Sequence, residues 1–360
     1  GREFHKSDAQ MALTLTATLA FRPIGAFLFG LLADRYGRRL PLMIDLIFYS
    51  IVEVLSGLAP NYTTFLILRA LFGIGMGGEW GVGASLAMEK VPPRLRGLLS
   101  GFLQQGYAMG FLLASLCNFF LFARFGWRPL FFLGGLPAIL AFFIRYRVKE
   151  SEVWKKTRHE SWGTLGRGIL SHWKLFLYLV VLMTAMNLAA HGTQDLYPTF
   201  LERQRGFLTG QKNLLSAFTM VGAILGGTLC GMLSDRFGRR RIISLSLMGA
   251  VLVIPLWAFA PTVPLLFVGG FLIQFLVQGA WGVIPAHLSE LSPDSVRGFL
   301  PGFGYQVGVL LSSYVSYFEA VMARRSSYAI AMSVTALVVF LAAAAATALG
   351  PERHAVKFGE

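Results

Sequence analysis

The sequence predicts an all-α integral membrane protein made of two similar bundles of helices. Three observations support this fold class: the composition is strongly apolar, eleven segments are long and apolar enough to cross a membrane, and the two halves of the chain share a repeated motif. Soluble domains carry far more charged residues than this chain does.

The composition leaves little of the chain able to face water. Of the 360 residues, 55% are hydrophobic and 14% are charged, and the mean hydropathy is +0.61, whereas soluble domains carry about 25% charged residues. The two cysteines, Cys117 and Cys230, lie in apolar segments, which argues against a disulfide framework or a cysteine-rich metal site. We therefore expect no metal ion, no cofactor and no sizeable domain outside the membrane.

Short loops join most of the predicted helices. A membrane-spanning helix needs about 20 mainly apolar residues, and the segments that meet this requirement are 10–33, 41–60, 63–90, 98–122, 128–147, 173–200, 212–235, 242–261, 263–290, 299–321 and 326–348. One long polar segment, 148–172, separates the first five helices from the last six. It is predicted to link the two halves.

The loop after the first predicted helix occurs a second time in the chain. Residues Gly30–Arg39 (GLLADRYGRR) recur as Gly231–Arg240 (GMLSDRFGRR), an offset of 201 residues. Such repeats indicate two copies of one structural unit. A second stretch keeps this offset, and its matched residues are Trp80 and Trp281, Glu89 and Glu290, Pro92 and Pro293, Arg96 and Arg297, Gly101 and Gly302, and Gln105 and Gln306.

Two copies in the same orientation each need an even number of spans. The second copy contains six predicted helices and the first contains five, so we expect the first copy to lack a helix that precedes residue 1. The predicted domains are an N-terminal bundle at 1–147, a cytoplasmic linker at 148–172, a C-terminal bundle at 173–350 and a cytoplasmic tail at 351–360.

The distribution of basic residues predicts the orientation in the membrane. Lys and Arg near the ends of spans are retained on the cytoplasmic side. When the loop after the first predicted helix is placed inside, the inner segments hold more than twice as many basic residues as the outer ones. We therefore expect a multi-pass protein of the plasma (cytoplasmic) membrane with a cytoplasmic C-terminus. The net charge of +14 then reflects this asymmetry and attraction to anionic lipids, and no nucleic-acid partner is expected.

The repeated loop resembles a signature of the major facilitator superfamily of secondary transporters. In that superfamily G-x-L-x-D-R-x-G-R-R joins the second and third helices of each half, and here it begins at Gly30 and at Gly231. Arg69-x-x-x-Gly73-x-Gly75-x-Gly77 resembles a second signature. The resemblance covers essentially the whole chain and implies the major facilitator fold, with two six-helix bundles that rock about a central site.

A further segment resembles one group of transporters within the superfamily. Asn187–Thr199 (NLAAHGTQDLYPT) resembles N-x-x-[S/T]-H-x-[S/T]-Q-D-x-x-x-T of the fungal lactate and pyruvate permeases, which group with the sialate:proton symporters; Ala190 departs from that pattern. This resemblance implies proton-coupled transport of small organic anions.

Two arginines inside predicted helices are candidate substrate ligands. A charge at the centre of a span costs about 2.5–3.5 kcal/mol, so such residues are functional candidates by default. Arg22 lies near the middle of its helix, where its guanidinium could bind a carboxylate or could instead pair with Glu53. Arg69 lies closer to the outer end of its helix and could bind substrate or extend to the interface.

A polar stripe follows one face of the helix at 173–200. Asn187, His191, Gln194 and Asp195 are spaced i, i+4, i+7 and i+8, so they share a helical face. His191 and Asp195 form a plausible proton-accepting pair, whereas Asn187 and Gln194 are candidate substrate contacts. The alternative is a hydrogen-bond cluster that fixes a contact between helices.

Three further polar residues lie inside predicted helices. Glu79 lies among glycines in the inner half of its helix and could pass a proton inward or balance the charge of an arginine. Gln105 and Gln306 occupy equivalent places in the two halves, so they are candidate substrate contacts or hydrogen bonds between helices.

The repeated loop also carries charges suited to gating. Ion pairs among the acidic and basic residues of the two loops would hold the cytoplasmic ends of the halves together when the carrier faces outward. The alternative is that the basic residues only set the topology. The candidate gating residues are Asp34, Arg35, Arg38, Asp235, Arg236 and Arg239.

The leading hypothesis is a proton-coupled symporter of small organic anions, most of all monocarboxylates such as lactate or pyruvate. We expect it to act as a monomer, with the anion, a proton and the lipid bilayer as its partners. Sialic acid or another sugar acid is the alternative substrate. A non-transporting receptor is remote, because only ten residues follow Gly350. An enzyme is not expected, because H-E-x-x-H and G-x-S-x-G motifs do not occur in the sequence.

Overall fold

The computed structural model describes residues 4, 6–158 and 161–359. Within these residues the regular secondary structure is entirely helical, in agreement with the predicted fold class. Residues 1–3 and 5 of the predicted N-terminal bundle, 159 and 160 of the linker and 360 of the tail lie outside the described residues.

Sixteen α-helices make up the described part of the chain. The N-terminal bundle comprises α1 (Asp8–Tyr36), α2 (Arg39–Gly57), α3 (Tyr62–Lys90), α4 (Arg96–Phe125), α5 (Arg128–Leu133) and α6 (Pro137–Arg147). The linker carries α7 (Glu152–Thr157) and α8 (Trp162–Ser171). The C-terminal bundle comprises α9 (Trp173–Gln194), α10 (Tyr197–Arg203), α11 (Thr209–Phe237), α12 (Arg239–Phe259), α13 (Val263–Leu291), α14 (Leu300–Ser312), α15 (Val315–Arg325) and α16 (Tyr328–Leu349).

Two single helices predicted from the sequence are each interrupted near a proline. The predicted helix at 128–147 consists of α5 and α6, and Pro137 is the first residue of α6. The predicted helix at 173–200 ends at Gln194 and resumes as α10, which carries Pro198 in its first turn. Proline has no N–H to donate to a preceding carbonyl, so it is tolerated at a helix start and disrupts a helix interior.

The predicted helix at 299–321 is also wrong as a single element, since α14 ends at Ser312 and α15 begins at Val315. The hydroxyl of Ser313 donates to the carbonyl oxygen of Leu310 at 2.7 Å. Such a local bond competes with the regular helical pattern.

Most of the predicted membrane spans have the length and composition that crossing requires. Among the described residues, nine helical segments are long and apolar enough to cross a membrane. Each coincides with a span predicted from the sequence. The other two predicted spans correspond to α4 and to the α14–α15 pair, for which crossing stays a prediction.

The two halves repeat the same close helix pair. In the N-terminal bundle α1 packs on α3, and in the C-terminal bundle α11 packs on α13. A Cβ atom at Gly77 would lie 1.9 Å from the carbonyl oxygen of Arg22, and one at Gly226 would lie 1.9 Å from that of Phe275. Only glycine permits these contacts.

The larger apolar core lies in the C-terminal bundle, where Trp257 and Phe340 are fully buried. A smaller core in the N-terminal bundle contains Phe29 and Leu46.

The halves meet through α1 with α14 and through α11 with α4. These contacts lie at the end of the molecule that carries the repeated loops and the linker, which we call the motif side. Close approach is again made by glycine, because a Cβ atom at Gly81 would lie 2.5 Å from the Cα atom of Gly302.

Candidate functional site

On the motif side, Asp34 of the N-terminal bundle binds the start of a helix in the other bundle. Its two carboxylate oxygens accept hydrogen bonds from the backbone N–H groups of Gly298 at 2.8 Å and Phe299 at 2.9 Å, just before α14. A carboxylate at a helix N-terminus is favoured because the unpaired N–H groups there carry partial positive charge. Asp34 also forms an ion pair with Arg38.

Arg38 extends this network to a second carboxylate. Its guanidinium lies 3.2 Å from Glu89, and Arg297 of the other bundle lies 3.3 Å from the same oxygen. Burial alone would lower the pKa of Arg38, but the carboxylates of Glu89 and Asp34 outweigh burial and raise that pKa above its usual value. Arg38 therefore stays charged although it is fully buried.

The C-terminal bundle repeats the arrangement in the opposite direction. Asp235 accepts hydrogen bonds from the backbone N–H groups of Gly97 at 2.8 Å and Leu98 at 3.0 Å, at the start of α4. Arg239 lies 2.8 Å from Asp235 and donates two bonds, of 2.8 and 3.0 Å, to the carboxylate of Glu290.

The two remaining candidate gating residues lie differently. The guanidinium of Arg35 lies 5.4 Å from the ring centre of Tyr36, and that of Arg236 lies 5.4 Å from the ring centre of Phe237. Each of these contacts is with the next residue of the same helix. The structure thus brings Asp34, Arg38, Asp235 and Arg239 to the boundary between the halves. The ring contacts of Arg35 and Arg236 do not cross that boundary.

A polar cavity lies between the bundles. The cavity is small, with a volume of about 20 Å³, and it is lined by Gln104, Gln105, Tyr107 and Ala108 of α4, Gln194 of α9, Met220 and Ala223 of α11, and Gln278 of α13. The amide of Gln105 donates to the carbonyl oxygen of Ile224 at 3.0 Å, and that of Gln194 donates to Gln274 at 2.8 Å. The predicted contacts Gln105 and Gln194 therefore lie together at the boundary between the halves.

Gln306 is fully buried and links the bundles next to this region. Its amide nitrogen donates to the carbonyl oxygen of Gly77 on α3 at 3.4 Å. Within the described residues its side-chain oxygen has no hydrogen-bond partner.

An aromatic pair lies at the boundary near Arg22. The ring centres of Trp80 and Tyr305 are 4.5 Å apart, and the guanidinium of Arg22 lies 5.9 Å from the Tyr305 ring centre. Trp281, which corresponds to Trp80 in the repeat, lies 5.9 Å from the ring centre of Tyr305 in an edge-to-face arrangement. The sequence assigns the two tryptophans no function, and their shared offset is the signal that could have pointed to them.

Arg69 has a different environment from Arg22. It forms a 2.6 Å ion pair with Glu53 and a 2.5 Å hydrogen bond with the Ser56 hydroxyl, and its guanidinium lies 4.6 Å from the ring centre of Phe72. Glu53 thus pairs with Arg69, so the alternative in which Glu53 pairs with Arg22 is wrong. Neither Arg69 nor Arg22 is among the described residues that line the cavity.

Glu79 interacts electrostatically with Arg22 and with Asp45, and it is hydrogen-bonded to the hydroxyl of Tyr49. Both functions that the sequence left open for Glu79 stay predictions.

The predicted polar stripe on α9 splits into two groups. His191 Nδ1 lies 3.2 Å from an oxygen of Asp195, and the other oxygen accepts a 2.6 Å hydrogen bond from Ser316 on α15. Asn187 is buried and donates to the carbonyl oxygen of Met183 at 2.7 Å. His191 and Asp195 therefore form the pair that the sequence predicts, while Asn187 bonds to its own helix.

Two buried acids escaped the sequence prediction. Asp45 on α2 is 1% exposed and Glu319 on α15 is 0% exposed. In the described part of the chain, the carboxylate oxygens of both have no hydrogen-bond partner. Both fall inside predicted helices, so the rule that selected Arg22 could have found them.

Comparison with known proteins places the chain in a family. A profile described as "Sugar (and other) transporter" matches residues 2–167 and 182–351. The chain is 31% identical over 338 residues to a carboxylic acid transporter protein homolog of Saccharomyces cerevisiae, covering 86% of this chain and 55% of that relative. It is 31% identical over 359 residues to a probable 4-methylmuconolactone transporter of Cupriavidus pinatubonensis, covering 97% and 83%.

A solved structure of the major facilitator superfamily proton:xylose symporter XylE has the same fold. It superposes with a TM-score of 0.80 at 21% identity and covers 99% of this chain and 90% of that one. The predicted resemblance to this superfamily and the predicted fold class are confirmed. The chain therefore has the major facilitator fold and belongs to the sugar (and other) transporter family, a family of multi-pass membrane transporters.

Proposed function

We propose that the protein is a proton-coupled symporter of small organic anions that works by alternating access. The observation that carries this proposal is the polar cavity between the bundles, with two repeat-related ion networks joining the halves on the motif side. A carrier needs a central site and a contact between its halves that can break and re-form. We further propose that it acts as a monomer in the plasma membrane, with the motif side and the tail in the cytoplasm.

The proposed substrate class is a carboxylate. Arg22 lies at the boundary between the halves beside the Trp80–Tyr305 pair, and a guanidinium binds a carboxylate through two parallel hydrogen bonds. Gln105 and Gln194 would then bind the hydroxyl or oxo groups of the anion. The similarity to a carboxylic acid transporter homolog supports this class, and within it we propose lactate or pyruvate first and sialic acid or another sugar acid as the alternative.

The aromatic pair favours a second candidate within the same mechanism. A short 2-hydroxy or 2-oxo acid has too little surface to cover the Trp80–Tyr305 pair, whereas a planar unsaturated acid would stack on it. The similarity to a probable 4-methylmuconolactone transporter is consistent with such a substrate.

We propose that the His191–Asp195 pair handles the proton. Histidine changes charge near neutral pH, and the pair is about 40–45% exposed at its side chains, so protons can reach it. Binding of the anion and of the proton would favour each other, because each reduces the electrostatic cost of the other.

Uptake into proteoliposomes tests the proposal. Labelled lactate, sialate and muconate are offered separately, with and without an inward proton gradient, to vesicles that contain the protein or its Arg22→Gln variant. We expect the gradient to drive accumulation of at least one of these acids and the variant to lose that uptake. The Arg236→Gln variant is the matched control, because its described contact is with its own helix. Uptake that ignores both the gradient and Arg22→Gln would refute the proposal.

A further inference from the structure

Glu319 is a buried acid in the C-terminal bundle. It lies on α15, which packs against α9 and α16, and it is 0% exposed. Within the part of the chain that the structure describes, neither of its carboxylate oxygens makes a hydrogen bond of normal geometry, and the Thr335 hydroxyl is its polar neighbour. An ionised carboxylate in such surroundings is costly, because burial removes its hydration and one hydroxyl replaces little of it.

The Glu319 side chain lies directly against the helix that carries the polar stripe. A Cβ atom built on Gly192 would be 3.3 Å from Oε1 of Glu319 and 3.6 Å from a methyl group of Thr335. Gly192 follows His191 directly and precedes Asp195 by three residues. The glycine therefore gives the acid room against α9, on the side where Asp195 interacts with it.

Glu319 and Asp195 differ in how their charge is compensated. One oxygen of Asp195 is paired with His191 and the other accepts the hydroxyl of Ser316, so Asp195 is stable as a carboxylate. A second negative charge on Glu319 would add repulsion to the cost of burial. Of the described ionisable groups, Asp195 on α9 is the one that interacts with Glu319, and Thr335 on α16 contributes a hydroxyl.

We infer that Glu319 binds the transported proton in the C-terminal bundle and that the His191–Asp195 pair delivers it. This inference rests on the proposed proton symport. Glu319 carries the proton while it is buried and releases it when the bundles move apart and water reaches the carboxylate. Asp195 stays ionised throughout, which is what its two partners favour.

The test compares two transport modes of the Glu319→Gln variant. In counterflow, unlabelled substrate inside the vesicles exchanges with labelled substrate outside, and no net proton movement is needed. We expect Glu319→Gln to keep counterflow within about threefold of the wild-type rate and to lose gradient-driven accumulation by about tenfold or more. Glu319→Asp keeps a titratable group and should retain accumulation. This second variant keeps the test decisive if Glu319→Gln folds poorly.

Glu202→Gln is the matched control, because Glu202 is an exposed acid that pairs with Lys212. It should behave like the wild type in both modes. If the wild type and Glu319→Gln accumulate substrate equally with the gradient, the inference about Glu319 fails while the proposed symport stands. If the wild type shows no response to the gradient, the proposed symport fails and the inference with it.

A separate observation concerns the end of the chain on the motif side. The ring centre of Phe358 lies 3.5 Å from the guanidinium carbon of Arg96 and 3.7 Å from that of Arg297. These arginines correspond in the repeat, and they belong to different bundles. One aromatic ring thus bridges the two halves by cation–π contact.

Backbone contacts hold the same segment in place. His354 is hydrogen-bonded through Nε2 to the carbonyl oxygen of Asp235 at 3.0 Å, and Arg96 donates to the carbonyl oxygen of Val356. The N–H of Gly359 donates to Asp294 at 2.7 Å. Residues 354–359 therefore contact both bundles.

Phe358 lies on arginines that themselves join the halves. Arg297 lies 3.3 Å from Glu89, and Arg96 lies 3.6 Å from Glu290; both ion pairs cross the boundary. Opening of the motif side must separate the two arginines and so release the ring.

We propose that residues 354–359 form a strap that stabilises the state in which the motif side is closed. Hydrogen exchange measured by mass spectrometry in nanodiscs tests this. Phe358→Ala should raise exchange at the first turns of α4 and α14 by about fivefold, because two cation–π contacts are lost. Phe358→Trp keeps an aromatic face and should match the wild type. Unchanged exchange in Phe358→Ala, or an equal rise in both variants, would overturn the proposal.

Discussion

Replacing Asp34 by asparagine should weaken the contact between the two halves. Asp34 is fully buried and accepts two backbone N–H groups at the start of α14 while pairing with Arg38. The asparagine side chain would retain one acceptor oxygen and carry no charge. Hydrogen bonds to charged groups contribute about 1.5–3 kcal/mol each, and breaking a buried ion pair costs about 3–5 kcal/mol.

Part of this loss occurs in both conformations, because Arg38 and Asp34 belong to the same bundle. The part specific to the closed state is one charged hydrogen bond and the interaction with the helix N-terminus, which together give about 2–4 kcal/mol. The equilibrium should therefore shift toward opening of the motif side by about 30-fold to 1000-fold, at 1.36 kcal/mol per tenfold.

Hydrogen exchange at the N–H groups of Gly298 and Phe299 reads this shift directly, since local opening controls exchange. Arg236→Gln removes a charge from the repeated loop without removing a described contact between the halves, so its exchange should equal that of the wild type. A rise of less than about threefold in Asp34→Asn, or an equal rise in Arg236→Gln, would show that Asp34 does not hold the two halves together.

Three further predictions concern packing, charge and substrate choice. Gly77→Ala should lower the free energy of unfolding in detergent by about 1–3 kcal/mol, which is the usual cost of overpacking, because the new Cβ atom would lie 1.9 Å from the Arg22 carbonyl oxygen. The control is Gly106→Ala, where no described atom lies within 4 Å of the new Cβ atom. It should leave the melting temperature unchanged or slightly raised. Arg69→Gln should destabilise by about 3–5 kcal/mol because it leaves Glu53 buried and unpaired, and the added change Glu53→Gln should recover most of the loss in thermal unfolding. Trp80→Leu should raise the KM for muconate more than the KM for lactate, and equal changes would argue against stacking on Trp80.

The architecture could be predicted from the sequence because the signals that specify it are local or periodic. Apolar length located the helices, and the repeated loop paired α1 with α11 as equivalent elements. Within the same loop, Gly37 and Gly238 adopt φ values of +104° and +94°, which disfavour other residues.

The partners of charged residues could not be predicted in the same way. Asp34 contacts the start of α14, which is 264 residues away in the chain, and Arg69 rather than Arg22 takes Glu53. Such choices depend on how helices rotate and pack, which neither hydropathy nor spacing specifies.

Helix interruptions within spans were missed for a related reason. The break after Gln194 places Asp195 beyond the end of α9, and the break at Ser313 brings Ser316 within 2.6 Å of Asp195. Hydropathy is continuous across both positions. Pro198 is a sequence signal for the first break, whereas the second has no proline and is seen only in the packed structure.

The most direct test of proton symport is a simultaneous measurement of substrate and proton movement. Proteoliposomes in a weakly buffered medium, without an imposed gradient, receive the carboxylate that is transported best, and a pH-sensitive dye reports the external pH. Symport through Glu319 should raise the external pH at a fixed ratio of protons to substrate during uptake, and Glu319→Gln should abolish the pH change. Substrate uptake without any change in pH would contradict proton symport.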